Sequence, residues 1–276
     1  MDPQQLLLIP LGVMVGTFGT LVGAGGGFIL VPVLLLLYPH ARPDTITAMS
    51  LFVVWANASS GSIAYARQGR IDYRSGGWFA LATLPGAIGG AIVVGYIPVR
   101  GFDAMFALAL IVIGIFLMFR SQITAIQAPP EGWGVVRRQI TDRQGNTFAY
   151  AFPLWKGILL SLGVGFVSSL LGIGGGIIHV PVMATMLHFP VHIATATSHF
   201  VLAFMAGEGT AFHFFDGTLG WNIALGRAAL IGAGAIPGAQ IGAVLSRRLH
   251  GTAIIRALAA ALVLVGLRLA LKAATG

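Results

Sequence analysis

The sequence has no cysteine and very few charged residues. None of its 276 residues is cysteine, which excludes disulfide bonds and thiolate chemistry. Only 9 % of the residues are charged, whereas 57 % are hydrophobic, so an ordinary water-soluble domain is excluded. Several apolar runs reach the roughly 20 residues that a helix needs to cross a bilayer. These runs are continuously apolar rather than alternating, which predicts an all-α polytopic membrane protein.

The formal charge of +8 does not indicate a nucleic-acid-binding protein. The arginines fall in the loops between apolar runs rather than along one face, which is typical of the positive-inside rule. The first five residues, MDPQQ, lack the basic region of a cleaved signal peptide, so we expect the first apolar run to remain in the mature protein. The predicted partners are the lipid bilayer and a small ligand, with no nucleic acid.

An internal duplication covers nearly the whole chain. The run Gly23–Gly27, followed by Pro32, returns as Gly172–Gly176, followed by Pro181. Two further segments repeat in the same order: Ala48–Phe52 with Ala196–Phe200, and Pro85–Gly90 with Pro237–Gly242. The sequence therefore predicts two homologous transmembrane halves, residues 1–119 and 153–276, joined by a cytoplasmic connector over residues 120–152.

The loop charges favour halves of opposite orientation. The loop at residues 67–74 carries three arginines and its counterpart at residues 216–221 carries none, whereas this bias is reversed after the next span. Inverted repeats require an odd number of crossings in each half, which a glycine-broken helical hairpin plus three transmembrane helices would supply. This arrangement places the loops at 67–74, 120–152 and 247–251 in the cytoplasm and both termini outside. A kink in one continuous helix would instead give parallel repeats.

The glycine runs are the predicted binding site. Apolar helices begin after the two runs, at Phe28 and Ile177, and the positive ends of their dipoles favour an anion. Two inverted copies would direct both helix ends at one point near the membrane centre. The alternative is that the glycines serve only close helix packing. The predicted substrate-binding residues are the glycines Gly25, Gly26, Gly27, Gly174, Gly175 and Gly176 and the polar residues Ser50, Asn57, Ser198 and His199.

Two further ionisable residues on the span of His199 are candidates for proton coupling. Glu208 and His213 could carry protons in apolar surroundings, although both approach the end of their span and could be interfacial instead. A zinc site at His188 and His192 is disfavoured because Pro190 interrupts the helix that this spacing needs. No nucleophile motif is present either, so the sequence predicts no cofactor, no metal and no enzyme activity.

The polar connector contains one regular pattern. Its core, VVRRQITDRQGNTFAYAF, alternates apolar and polar residues on either side of Arg143–Asn146, which predicts a β-hairpin outside the membrane. The hairpin could be a plain connector, which we favour, or a small lid for a ligand or partner.

The repeated motifs identify a family resemblance. The paired G-x-G-G-G-x-x-x-x-P elements, the A-x-S segments that follow and the later P-G-A-x-x-G segments resemble the sulfite exporter TauE/SafE family over nearly the whole chain. The resemblance implies a secondary transporter in the cytoplasmic membrane that exports small sulfur-containing anions, such as sulfite or organosulfonates, by alternating access. It leaves the particular anion, the direction, proton coupling and the oligomeric state open. The alternatives are an uncoupled anion channel and an intramembrane enzyme that uses His199, Glu208 and His213.

Overall fold

The computed structural model describes residues 3–119, 133–221, 223–246 and 252–275. The first half contains α1 (Pro3–Leu6), α2 (Leu8–Val22), α3 (Gly27–Leu37), α4 (Pro43–Gln68), α5 (Tyr73–Val94) and α6 (Val99–Phe119). Strands β1 (Val135–Thr141) and β2 (Thr147–Pro153) follow. The second half contains α7 (Leu154–Leu171), α8 (Gly176–Met186), α9 (Val191–Phe215), α10 (Ile223–Leu245) and α11 (Thr252–Thr275). The loop at residues 247–251 lies outside the described residues.

The helices have the length and surface of membrane spans. Five of the described helices, α4, α5, α6, α7 and α10, are long and apolar enough to cross a bilayer. Large apolar side chains on the outer faces, such as Leu81, Leu108 and Leu159, are more than half exposed, as expected for surfaces that face lipid. The prediction of an all-α membrane protein is confirmed.

Each glycine run forms a tight turn between two helices. Gly23, Gly25 and Gly26 have φ angles of 84°, 75° and 88°, in the left-handed region that favours glycine. In a continuous helix Val15 and Gly26 would lie roughly 16 Å apart, at about 1.5 Å per residue. Instead, a Cβ atom built on Gly26 would lie 2.7 Å from Val15 Cγ1, so the chain reverses direction. Gly175 approaches Val164 in the same way, at 3.1 Å. Neither break is a kink in one helix.

A helix of each half packs against a helix of the other half. Helix α2 packs closely against α10 of the other half, and α7 packs against α5 in the matching arrangement. Both interfaces depend on glycine, since a Cβ atom on Gly238 would lie 2.4 Å from Val13 O and one on Gly86 would lie 2.2 Å from Leu162 O. Small residues of this kind let helix backbones approach closely in membranes. Neither half therefore has a complete helix packing arrangement by itself.

Helix α4 runs antiparallel to α9, and α6 runs antiparallel to α11. Along the contact between α4 and α9, Leu51 meets Gly209 near one end and Gly61 meets His199 near the other. Along the contact between α6 and α11, the residue order is likewise reversed: Gly114 meets Ala259 and Val263, and Gly266 meets Ala107 and Ile111. Helices α4 and α9, and likewise α6 and α11, therefore point in opposite directions.

The connector forms an antiparallel hairpin whose turn binds the loop between α4 and α5. The strands pair from Val135 with Pro153 to Thr141 with Thr147. In the turn, Asp142 accepts hydrogen bonds from the backbone N–H groups of Gln144 and Asn146, both at 2.9 Å. Arg70 Nη2 lies 3.7 Å from Asp142 Oδ2, and both side chains are buried. Burial opposes the ionisation of Asp142, yet its hydrogen bonds and Arg70 lower the pKa of this carboxyl below its ordinary value.

A second buried carboxylate fixes the hairpin to α5. Asp72 caps α5 by accepting from the backbone N–H of Ser75 at 3.0 Å. Its other oxygen, Oδ2, accepts from the Tyr150 hydroxyl at 2.8 Å and lies 3.6 Å from Arg138 Nε. Burial and the charge of Asp72 raise the pKa of Tyr150, so this hydroxyl stays protonated and continues to donate. The hairpin is therefore packed on the helix ends, where Tyr150 also contacts Phe189 at 4.5 Å between ring centroids.

Replacing Tyr150 with phenylalanine is expected to reduce the free energy of unfolding by about 1–2 kcal/mol, because Asp72 loses one hydrogen bond while the ring packing is kept. Chemical denaturation in detergent measures the change. Tyr96→Phe is the control, since Tyr96 is 85 % exposed. Equal stability of the two variants would contradict the assigned hydrogen bond.

Candidate functional site

The two glycine turns lie directly against each other in the interior of the bundle. A Cβ atom on Gly27 would lie 2.5 Å from Gly172 O, and one on Gly176 would lie 2.2 Å from Gly23 O. All four glycines are buried. The turn after α2 therefore contacts the N-terminus of α8, and the turn after α7 contacts the N-terminus of α3. The structure thus brings the predicted glycines of both halves together.

Apolar side chains fill the space between the turns. Cβ atoms built on Gly25 and Gly174 would both contact Val54, at 3.0 and 2.7 Å. Gly25 also faces Leu202, and its backbone N–H donates to Gly19 O at 3.1 Å. In this conformation apolar side chains close the space between the turns. The N–H of Gly25 is also occupied, because it donates to Gly19 O.

The two matched serines have different surroundings. Ser50 Oγ on α4 donates to Gly172 O at 2.6 Å and so links α4 to the turn of the other half. Ser198 Oγ on α9 is equally buried but has no hydrogen-bond partner among the described residues. The hydroxyl of Ser198 is consequently free to bind a ligand without breaking a bond.

Asn57 and His199 meet at Thr20, which the sequence prediction had not included. Thr20 Oγ1 donates to Asn57 Oδ1 at 3.1 Å, and His199 Nε2 lies 3.3 Å from the same hydroxyl. Because the proton of Thr20 is used for Asn57, His199 Nε2 acts as the donor in this contact. The Tyr65 hydroxyl also donates to Thr20 O, at 2.9 Å. These four residues form a buried polar group at the end of α2.

Glu208 and His213 lie away from this group. By the rise of a helix, Glu208 is about 13 Å and His213 about 21 Å along α9 from His199. Glu208 Oε2 has no partner in the described part of the chain, and His213 Nδ1 lies 3.4 Å from Asp216 Oδ2. The structure therefore separates the two candidate proton carriers from the polar group at Thr20.

Sequence reasoning also missed polar residues near the second turn. Thr83 and His179, together with the predicted Ser198, line a narrow space at the start of α8. Ser168 Oγ lies beside it, 2.7 Å from a Cβ atom built on Gly175. Their sequence signal is a polar residue inside an apolar run, which many other residues of this chain share. Within the described ranges, no three histidine or carboxylate side chains are grouped as a metal site would require.

These features define a class of protein. A multi-pass helical bundle, built as two related halves with broken helices that meet in its interior, is typical of secondary transporters. The chain belongs to the sulfite exporter TauE/SafE family, whose family model matches residues 8–269. It is therefore a membrane transporter and not an enzyme.

Curated relatives agree with this assignment. The chain is 31 % identical over 270 residues to "Probable membrane transporter protein YunE" of Bacillus subtilis, with 96 % of each chain covered. It is 28 % identical to "Probable membrane transporter protein MJ0441" of Methanocaldococcus jannaschii, over 81 % of this chain and 79 % of the relative. A "Probable membrane transporter protein" of Xylella fastidiosa is 26 % identical, over 91 % and 89 % of the two chains. No solved structure matches.

Proposed function

We propose that the protein exports small sulfur-containing anions, such as sulfite or an organosulfonate, across the cytoplasmic membrane by alternating access. The observation that carries the proposal is the contact between the two glycine turns, each at the N-terminus of α3 or α8. Helix N-termini carry a partial positive charge and outward-pointing N–H groups, both of which favour an anion. The name of the matching family supports sulfite as the first anion to test.

The proposal includes inverted repeats, with residues 1–119 and 153–276 as the two halves. The antiparallel pairing of α4 with α9 and of α6 with α11 supports this orientation. A two-fold axis that relates antiparallel helices is perpendicular to them, and so lies in the membrane plane. The same two-fold axis would relate the α2–α10 interface to the α7–α5 interface. The hairpin and the basic loop at 67–74 would then share the cytoplasmic side.

The closed centre indicates what alternating access must change. An anion can reach the helix N-termini only when Val54 and Leu202 withdraw from Gly25 and Gly174. Pro85 lies inside α5 and Pro237 lies inside α10, where a missing backbone hydrogen bond eases bending. These two helices hold α7 and α2 respectively, so bending them would move the first arm of each hairpin.

Proton coupling belongs to the proposal as a second element. His199 belongs to the polar group at the end of α2, whereas Glu208 and His213 lie farther along α9. Buried ionisable side chains in a membrane protein are costly and commonly functional. A proton pathway along α9 would connect His199 with the helix end at Asp216.

Reconstitution into proteoliposomes tests the proposal. We expect saturable flux of labelled sulfite that accumulates against its gradient when a proton gradient is imposed. The released substrate should be chemically unchanged. Linear flux that never accumulates substrate would support the channel instead, and chemical conversion of sulfite would support an enzyme. Empty vesicles provide the control.

A further inference from the structure

A narrow space with polar side chains in a mostly apolar lining lies at the N-terminus of α8. The helix has 11 residues and begins after the turn at Gly175. The space is bordered by Ser198 of α9, Thr83 of α5 and His179 of α8 itself, together with apolar side chains. Ser168 of α7 lies at its edge, beside Gly175. Four helices therefore contribute polar groups to one buried helix end.

Two of these hydroxyls have no hydrogen bond. Ser168 and Ser198 are 0 % and 1 % exposed, and neither Oγ atom has a partner within the described ranges. Serine and threonine in membrane helices usually donate to a carbonyl of their own helix. Ser161 and Thr83 do so, to Gly157 O and Ala80 O. The hydroxyls of Ser168 and Ser198 are therefore buried donors without a partner among the described residues, which costs the folded state free energy.

His179 borders the space and contacts one neighbouring serine. Ser161 uses its proton for Gly157 O, so it can only accept from His179 Nε2, which lies 3.2 Å away. No arginine or lysine is among the described residues that border the space. The electrostatic attraction for an anion therefore comes from hydroxyl donors and from the helix end.

The corresponding region of the first half lacks two of these groups. When Gly23 is aligned with Gly172, Ser168 corresponds to Gly19 and His179 corresponds to Leu30. Both first-half residues are without a polar side chain. Ser198 corresponds to Ser50, whose hydroxyl already donates to Gly172 O beside the start of α3. The two turns are therefore alike in backbone but different in lining.

We propose that the N-terminus of α8, with Ser168 and Ser198, is the subsite for a monovalent oxyanion such as a sulfonate or hydrogensulfite, and that it discriminates against dianions. This inference rests on the proposed function, since it assigns the substrate class of that site. A helix end supplies a partial charge of about one half, and two neutral hydroxyls add donors but no net charge. A dianion such as sulfate has a much larger desolvation cost, which no arginine or lysine among the described residues bordering the space offsets.

Binding and transport are measured on the full-length protein, with methanesulfonate as the monovalent probe and sulfate as the divalent one. We expect methanesulfonate to bind in calorimetry and to compete with labelled sulfite in proteoliposomes, whereas sulfate does neither at the same concentration. Ser168→Ala and Ser198→Ala are each expected to weaken methanesulfonate binding about tenfold, the usual effect of losing one hydrogen bond to a charged group.

Ser169→Ala is the matched control. Ser169 is the next residue on α7, is 1 % exposed and also lacks a partner, but its Oγ atom faces Gly209 at 3.3 Å from a built Cβ atom. This variant should bind methanesulfonate as the wild type does. Size-exclusion chromatography and thermal unfolding verify that the three variants are folded.

The outcomes separate this inference from the proposed function. Equal competition by sulfate, or Ser168→Ala and Ser198→Ala proteins that bind like Ser169→Ala, would overturn the subsite even if sulfite transport is intact. Serine-dependent binding of methanesulfonate without any transport would support the subsite and overturn the transport proposal. Absence of methanesulfonate binding by the wild type would also refute the subsite.

Discussion

Replacing Gly176 with alanine is expected to lower the melting temperature of the purified protein by roughly 10 °C. The new Cβ atom would lie 2.2 Å from Gly23 O and 2.7 Å from Ala24 Cα, so it meets backbone on the opposing turn. Neither atom belongs to a flexible side chain that can move aside. The two hairpins would have to separate, which we expect to cost about 3 kcal/mol. Thermal unfolding in detergent, followed by tryptophan fluorescence, measures the shift.

Gly163→Ala is the matched control for this experiment. Gly163 lies on α7, is exposed and has nothing within 4 Å of a built Cβ atom. Alanine at such a helical position should leave the stability unchanged or raise it by about 0.5–1 kcal/mol. A Gly176→Ala protein as stable as the Gly163→Ala protein would show that the two turns are not in direct contact.

Replacing Asp72 with alanine is expected to reduce the free energy of unfolding by about 3 kcal/mol. Three interactions end together: the cap on the Ser75 N–H, the hydrogen bond from Tyr150 and the charge contact with Arg138. The Tyr150 hydroxyl and the Arg138 guanidinium would remain in place without their carboxylate. Since both groups belong to the hairpin, its strands should also become more accessible to protease. Denaturation in detergent and limited proteolysis provide the two measurements.

Asp72→Asn separates the contributions. The amide oxygen can still cap α5 or accept from Tyr150, so this variant should lose mainly the interaction with Arg138 and remain closer to the wild type. Tyr96→Phe again serves as the control, because Tyr96 is 85 % exposed. Wild-type stability of Asp72→Ala would refute the role of Asp72 in fixing the hairpin.

The membrane class and the pairing of the glycine turns could be predicted because both depend on long-range regularities of the sequence. Continuous apolar runs determine the class, and the repeat of Gly23–Gly27 at Gly172–Gly176 implies two equivalent structures. The tight turns themselves follow from glycine, the residue that adopts positive φ without strain. Ser50 and Ser198 could be selected for the same reason, since their positions match in the two halves.

The polar lining could not be predicted, because it depends on how each helix is rotated. Thr20, Ser168 and His179 are single polar residues in apolar runs, as are Ser161 and Thr210, which donate to their own helices. Whether a hydroxyl is satisfied by its own backbone or faces a neighbouring helix is a tertiary property. The same is true of Asp72 and Tyr150, since the strand pattern predicts a hairpin but not the surface on which it packs.

The packing of helices of one half against helices of the other has a consequence for biogenesis. Helix α2 leaves the ribosome long before the helix that packs against it, α10. Until α10 is inserted, the glycine-lined face of α2 has no close partner, and closing so long a loop is slow. We therefore expect membrane insertion to precede tight packing, and a chain truncated after α6 to remain susceptible to cellular proteases.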